Sequence, residues 1–403
     1  MTDGGAGRLR PRIARAPGRV NLVGEHIDYH DLPVLPMALA RGITITFTPR
    51  EDGIVRLRNR HPGFEPVEVA VTSQPERGSE GSWGNYVRAA VATVAGLADE
   101  GAFAGLDGMV ESDLARAAGL SSSSALVVAV ALAAASTHRD PGWSPPSAER
   151  WAALLASGER YVGTAGGGMD QAASLGGRHG EVLRIDFDPV RWQTRRLPTG
   201  WAVVVAHSGV RAEKSGSARA AYNALRHRGE RARDHLADRL GLASDYRALR
   251  RAATRAEWVG IARAELDADT AAVVDHILGE ADRVETAWAA LARGNRIAFG
   301  DAMNASHASL AGRCGVSHPR LEVLVSCARA AGADGARLTG AGFGGCIVAL
   351  TREDAVPELI AALEGANRAA GLSGAEAPVF RARPGAGAAV GSPEWNPDET
   401  GAG

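Results

Sequence analysis

Residues Arg15–Leu39 read RAPGRVNLVGEHIDYHDLPVLPMAL, two apolar runs with a polar turn between them. After Gly24 come Glu25, His26 and Asp28, two carboxylates and an imidazole in close succession. Flanking segments of this kind pack into a core and leave the polar cluster at its edge. Such a cluster can receive several hydroxyls at once, which is how a polyol is told from water. It can equally be a solvated polar turn, and the stretch alone leaves both readings open.

Outward from this stretch, the first half of the chain mixes strand-like runs (Ile43–Thr48, Ile54–Leu57, Val182–Phe187) with helical stretches at 84–98 and 122–136. A buried-looking strand, AVVVA at 202–206, is followed by long charged segments near 217–240 and 271–294 whose apolar spacing is helical. Strand, glycine turn and strand return at 335–350, then a helix near 354–370 and a short strand at 379–381. The pattern predicts an α/β fold (α+β in its segregation) of two lobes, residues 1–197 and 198–385. Residues 386–403, rich in Gly, Ala and Pro, are expected to be a disordered tail. With 403 residues, two lobes of ordinary size leave room for a cleft.

Charge excludes whole classes of partner. The 45 basic and 46 acidic residues nearly cancel, so no overall field favours nucleic acid or an anionic membrane. Cys314, Cys327 and Cys346 suit neither a metal pair nor a disulfide framework and read as free thiols of a reducing compartment. MTDGGAGRLRPRIAR carries no apolar signal core, and the apolar run 125–135 is too short for a bilayer, so a soluble, cytoplasmic protein is expected. Lys214 is the single lysine and follows Glu213, so no Gly-Lys-Ser/Thr phosphate loop exists. Phosphate must be met by backbone N–H groups, arginine, a metal ion or that lysine.

Three further stretches carry chemistry. In GLSSSSALV (119–127), four serines enter a helix whose unpaired first-turn N–H groups and dipole attract phosphate, and a serine hydroxyl can ligate Mg²⁺; a capped helix is the alternative. In GERYVGTAGGGMDQAASL (158–175), three glycines permit close backbone approach and would aim Asp170 into a cleft, although an aspartate after a glycine turn also serves as a helix cap. In ARLTGAGFGGCIV (336–348), four glycines between strands support a nucleotide phosphate or form only a tight turn. Trp83, in SWGNYV (82–87), can stack on an adenine or fill a core.

In this order these motifs resemble the galactokinase branch of the GHMP small-molecule kinases, from about Arg15 to Pro384, with APGRVNLVGEH the most specific. The resemblance implies a two-lobed fold, the N-terminal lobe like a ribosomal-protein-S5 α/β domain, with ATP and a galactose-type sugar bound between the lobes. Glu25, His26 and Asp28 would hold sugar hydroxyls, Gly167 would close over the ring, and Tyr222 would stack on the sugar. Arg19 and Asp170 would flank the C1 hydroxyl, Asp170 accepting its proton and Arg19 stabilising charge. Ser121, Ser122, Ser123 and Ser124, after Gly119, would wrap the ATP phosphates, and Trp83 would border adenine. Gly340, Gly342 and Gly344 would support the phosphate site, and Ser123 and Glu159 would hold Mg²⁺.

The chain also departs from the galactose pattern. Ile27 and His30-Asp31-Leu32 replace Thr and Asn-Asp-Gly, Ala117 replaces a glycine, and Gly166-Gly167-Gly168 replaces Cys-Gly-Ile. Several of these motifs look like the N-acetylgalactosamine kinase branch, and the 210–226 segment is about three residues longer than expected. A galactose and ATP sensor without turnover is the non-enzyme alternative. Oligomeric state is not readable from these motifs.

Overall fold

The computed structural model describes residues 10–115, 118–163, 166–212 and 216–394. In the first lobe the elements run β1 (Arg12–Val23), β2 (Leu35–Pro49), β3 (Ile54–Asn59), β4 (Val67–Ala70), α1 (Gly84–Ala95), β5 (Gly105–Ser112), α2 (Ser122–Ala135), α3 (Ala148–Gly158), α4 (Met169–Gly176) and the hairpin β6 (Glu181–Asp186) and β7 (Arg191–Arg196). The chain then enters a second sheet at β8 (Trp201–His207). Helices α5 (Gly216–Leu240), α6 (Tyr246–Ala252), α7 (Arg255–Glu265), α8 (Ala268–Ala292), α9 (Arg296–Ser309) and α10 (Pro319–Ala330) follow. The chain ends with β9 (Gly335–Thr339), β10 (Cys346–Arg352), α11 (Val356–Ala369), β11 (Val379–Ala382) and β12 (Ala389–Gly391).

The first sheet has the order β12-β1-β2-β5-β3-β4, antiparallel except for the β3–β5 pair. The second, β11-β8-β10-β9, is antiparallel throughout. All seven residues of β8 are buried, as its unbroken apolar run requires of a central strand covered on both faces. Helix α2 (SSSALVVAVALAAA) is apolar on all sides and lies against β1 and β2; its small side chains allow that close approach. Among the described residues no helix is long and apolar enough to cross a membrane, and all three cysteines are free.

Two features of β1 position the site. Its pairing with β2 shifts register between Pro17 and Arg19, a bulge that re-aims the next side chain, Arg19. The strand also touches β9, β10, α8 and α9, so the second lobe docks along it just before the Gly24 turn.

The part of the expected disordered tail that is described, residues 386–394, is instead packed in place. The backbone N–H groups of Gly385, Gly387 and Ala388 donate to Ala38, Gly177 and Ser174, and β12 then pairs with β1, Ile13 opposite Gly391. A Cβ on Gly385 or Gly387 would stand 2.4 Å from a carbonyl oxygen, Leu39 or Leu175 respectively. The small residues that suggest disorder are what let this segment lie flat on the first lobe. Residues 395–403 lie outside the described residues.

Candidate active site

Two cavities meet at Arg19 and Ala341. The inner one, about 40 Å³, is lined by four carboxylates (Glu25, Asp28, Glu159, Asp170) and a single guanidinium, Arg19. The outer cleft, about 1460 Å³, is lined by Arg19, Arg60, Arg77 and Arg211 against Glu80 and Glu111. Size and charge divide the roles. A small acidic cavity suits a neutral, hydroxyl-rich molecule that donates hydrogen bonds, and a large basic cleft suits an anionic nucleotide.

At the junction, Arg19 Nε and Nη2 donate to Asp170 Oδ1 at 2.8 and 2.7 Å. Its Nη1 donates to the Gly119 carbonyl at 2.7 Å. One planar fork therefore joins the inner carboxylate to the loop that opens α2. Asp170 lies in the first turn of α4, which the left-handed Gly168 starts without any side-chain cap. Of the two readings of Asp170, cap or inward-facing carboxylate, the geometry favours the second.

The turn after β1 is strained at His26 and held from outside. Gly24 and His26 have φ of 104° and 61°, both left-handed. Glu25 Oε2 accepts from Arg337 Nη2 at 2.9 Å and from the Gly340 N–H at 3.0 Å. Arg337 is fully buried and was not singled out in the sequence; an arginine inside the apolar strand ARLT was its only signal. Burial raises the Glu25 carboxyl above its usual value, opposed by Arg337 and Arg19.

His26 lines the inner cavity with its ring nitrogens already bonded within the protein. Its Nε2 lies 3.2 Å from the Ala341 carbonyl, which can only accept, so Nε2 carries the proton and Nδ1 accepts from the Tyr29 hydroxyl at 2.8 Å. Burial, with His276 nearby, holds its pKa down to about 3, so the ring is neutral. Both nitrogens are engaged, and the ring lines the inner cavity beside Tyr222, tilted to it at 5.4 Å between centroids. Tyr222, on α5, lines the inner cavity and also meets Tyr29 edge-on at 5.5 Å. Burial, then Asp170 and Glu25, raises the Asp28 carboxyl to about 6.

Gly167 does not line the cavity. A Cβ there would lie 2.2 Å from the Asp28 carbonyl carbon, and its N–H donates to Asp28 Oδ2 at 3.1 Å. It is a backbone prop for Asp28, whereas Gly166 lines the cavity and has open space where a side chain would stand.

The serine loop divides as well. Ser121, at φ 59°, keeps a buried hydroxyl with no partner, and it lines the outer cleft with Ser122, Ser123 and Gly119. Ser124 turns away from the cleft to donate to Asp170 Oδ2 at 3.4 Å, so it belongs to the carboxylate rather than to a phosphate cradle. Trp83 lines the same cleft, its indole N–H on the Glu65 carbonyl at 2.8 Å and Phe64 against its ring. Gly340 lines the cleft, and a Cβ there would meet the Gly119 carbonyl at 2.9 Å. Gly342 and Gly344 line neither cavity; their missing side chains admit Val316 and Val210. Ser123 and Glu159 line different cavities, and among the described residues no three of His, Cys, Asp and Glu converge as a metal cluster. Ala117 and Lys214 lie outside the described residues.

Known proteins resemble this chain in sequence and in fold. Residues 6–49 match the galactokinase galactose-binding signature, 85–178 the GHMP kinases N terminal domain, and 287–375 the GHMP kinases C terminal family. A galactokinase of Chloroflexus aggregans is 37% identical over 359 residues, covering 89% of this chain and 88% of that protein. One of Roseiflexus is 37% identical over 347 residues, covering 85% and 84%. The crystal structure of Lactococcus lactis galactokinase complexed with galactose superposes with a TM-score of 0.81 at 26% identity, covering 94% of this chain and 95% of that one. The mevalonate kinase of Methanococcus jannaschii, at 17% identity and a TM-score of 0.61, shares the fold.

Proposed function

This chain belongs to the galactokinase family of the GHMP kinases, and on that premise we propose that it transfers the γ-phosphate of ATP to the C1 hydroxyl of galactose, giving galactose 1-phosphate and ADP. The observation that carries the reading is the junction: Arg19 borders both cavities and holds Asp170 on the acidic side. A sugar in the inner cavity donates its hydroxyls to Glu25 and Asp28, with its ring against Tyr222. ATP lies in the outer cleft, its adenine beside Trp83 and its phosphates on the N–H groups opening α2 and on the Ser121–Ser123 hydroxyls.

A loose phosphoryl-transfer transition state asks for alignment and for neutralisation of charge. Asp170 Oδ2 accepts the proton of the attacking hydroxyl, and Oδ1 stays on Arg19 so that the carboxylate cannot swing away. Arg19, which lines both cavities, puts its positive charge beside the place where the phosphoryl would pass. Oxygen donors suit Mg²⁺, which is commonly held by one or two carboxylates together with substrate phosphates. Ser123 and Glu159 supply a hydroxyl and a carboxylate on the two sides of the junction. When bound, the ion would neutralise phosphate charge. A cytoplasmic location belongs to the same proposal, supported by the free thiols.

Galactose is favoured over N-acetylgalactosamine because the space at Gly167 is filled by the Asp28–Tyr29 backbone, leaving only Gly166 to admit an acetamido group. The test is ADP release with galactose, N-acetylgalactosamine, 2-deoxygalactose and glucose. Galactose should give the highest kcat/KM; a preference of about tenfold or more for the acetamido sugar overturns that ordering.

A further inference from the structure

Behind the turn that carries Glu25, the face of α8 is polar although it is buried. Glu280 is fully buried and His276 nearly so, and neither lines the inner cavity or the outer cleft. Glu280 Oε1 accepts from the Gly24 N–H at 2.8 Å, the Glu25 N–H at 3.3 Å and the Ser306 hydroxyl at 2.6 Å. Its Oε2 accepts from Arg283 Nε at 2.7 Å. His276 Nε2 lies 3.0 Å from the Glu25 carbonyl, which can only accept; Nε2 therefore donates, and Nδ1 accepts from the Ser309 hydroxyl at 2.9 Å.

Every peptide group on either side of the Glu25 side chain is thus gripped by the second lobe. The turn needs such a grip. His26 follows Glu25 in a left-handed conformation, φ 61°, which a residue with a side chain keeps only with support, whereas Gly24 takes its φ of 104° freely. An apolar residue at 280 would fill the same space at less desolvation cost, yet it would leave the Gly24 and Glu25 N–H groups unpaired inside the protein. Burial opposes ionisation of Glu280, but Arg283, His276 and Arg337 bring its pKa down to about 2. The acceptor is therefore a carboxylate throughout the working range, and burial keeps His276 neutral, at about 4.

We propose that Glu280, assisted by His276, is a positioning residue for the sugar: it fixes the direction of the Glu25 carboxylate from the opposite lobe without touching the substrate. Arg337 and Gly340 hold that carboxylate at its tip, and Glu280 and His276 hold its backbone. The sugar end of the site is consequently assembled only where the two lobes meet. The nucleotide end also takes residues of the second lobe, Arg211 and Gly340, but among the described residues Glu280 and His276 hydrogen-bond to none of the α2 N-terminus, Trp83 or the 119–123 loop. The inference rests on the reading of the inner cavity as the sugar site.

The experiment compares full-length wild type with Glu280→Gln and Ser306→Ala, measuring KM for galactose, KM for ATP and kcat by ADP release. In Glu280→Gln the amide nitrogen must replace the oxygen that serves either Arg283 or the turn, and in both orientations the neutral amide accepts from the turn less strongly than the carboxylate did. We expect the galactose KM to rise by about tenfold or more, since small misplacements of a substrate-holding group cost rates and affinities of that order, with the ATP KM within about twofold of wild type. Ser306→Ala removes one donor at a smaller structural disturbance and should raise the galactose KM by about threefold, again leaving ATP unchanged. Should Glu280→Gln not fold, the Ser306→Ala result decides. A galactose KM within about twofold of wild type, or equal rises for galactose and ATP, overturns the proposal and leaves Glu280 a structural staple. Failure of the underlying site reading looks different: wild type itself would then release no ADP in response to galactose.

Discussion

Replacing Arg19 with lysine keeps the charge at the junction and removes its geometry. The guanidinium makes three contacts of 2.7–2.8 Å, two with Asp170 Oδ1 and one with the Gly119 carbonyl, from a side chain only 5% exposed. An ammonium on a flexible stem can keep one of them well. Losing two charge-assisted hydrogen bonds at about 1.5 kcal/mol each removes about 3 kcal/mol, which corresponds to roughly a hundredfold in rate if Asp170 and the 119–123 loop must be aligned at the moment of transfer. The assay is steady-state ADP release with galactose and ATP varied independently, on protein whose melting temperature stays close to that of wild type. We expect kcat to carry most of the loss, because the fork bridges the two half-sites rather than binding either substrate alone. A kcat/KM within about threefold of wild type would refute the reasoning and reduce Arg19 to a source of diffuse charge.

Asp170→Asn should lower turnover by roughly a hundredfold to ten-thousandfold while ATP binding, measured by titration calorimetry, stays near normal; retention of half the wild-type turnover makes Asp170 a structural residue only. Asp28→Asn should weaken galactose binding yet stabilise the fold. The folded-state carboxyl of Asp28 is raised to about 6 from an ordinary 3.8, so wild type loses stability as pH rises from about 4 to about 6, at most roughly 3 kcal/mol, and that loss is complete above this window. The melting temperature of the asparagine variant should therefore exceed wild type increasingly across that window and by a constant margin above it; an unchanging difference at every pH contradicts the origin assigned to the shift. Gly167→Ala puts a methyl within 2.2–2.4 Å of the Asp28–Tyr29 backbone and should raise the galactose KM by about tenfold or more, whereas normal kinetics would mean that the backbone gives way freely.

Local pattern made the main elements visible in advance. The apolar run of β8, the strand-turn-strand of β9 and β10, and the helical spacing of α5 and α8 all lie where periodicity puts them. The GEHID turn and the serine loop stand out as polar clusters beside apolar runs, but their roles and that of Asp170, which alone reads equally as a helix cap, come from the resemblance to galactokinases. What periodicity could not reveal lies across the lobe interface. Arg337 reaches Glu25 over 312 positions, and Glu280 reaches Gly24 over 256. Nothing local marks a buried arginine or glutamate whose partner is so distant in the chain. The same limit explains Gly167 and β12: glycine reports that backbone comes close, not whether a ligand or the protein itself fills the space.

The account stands on transfer of phosphate to one hydroxyl of one class of sugar, and the product itself reports this most directly. Full-length protein, ATP, Mg²⁺ and galactose are incubated together and the product is examined by phosphorus and proton NMR. The account predicts galactose-dependent formation of ADP with the new phosphate coupled to the anomeric C1 proton. ADP release indifferent to sugar, or a phosphate carried on any other carbon, would contradict it.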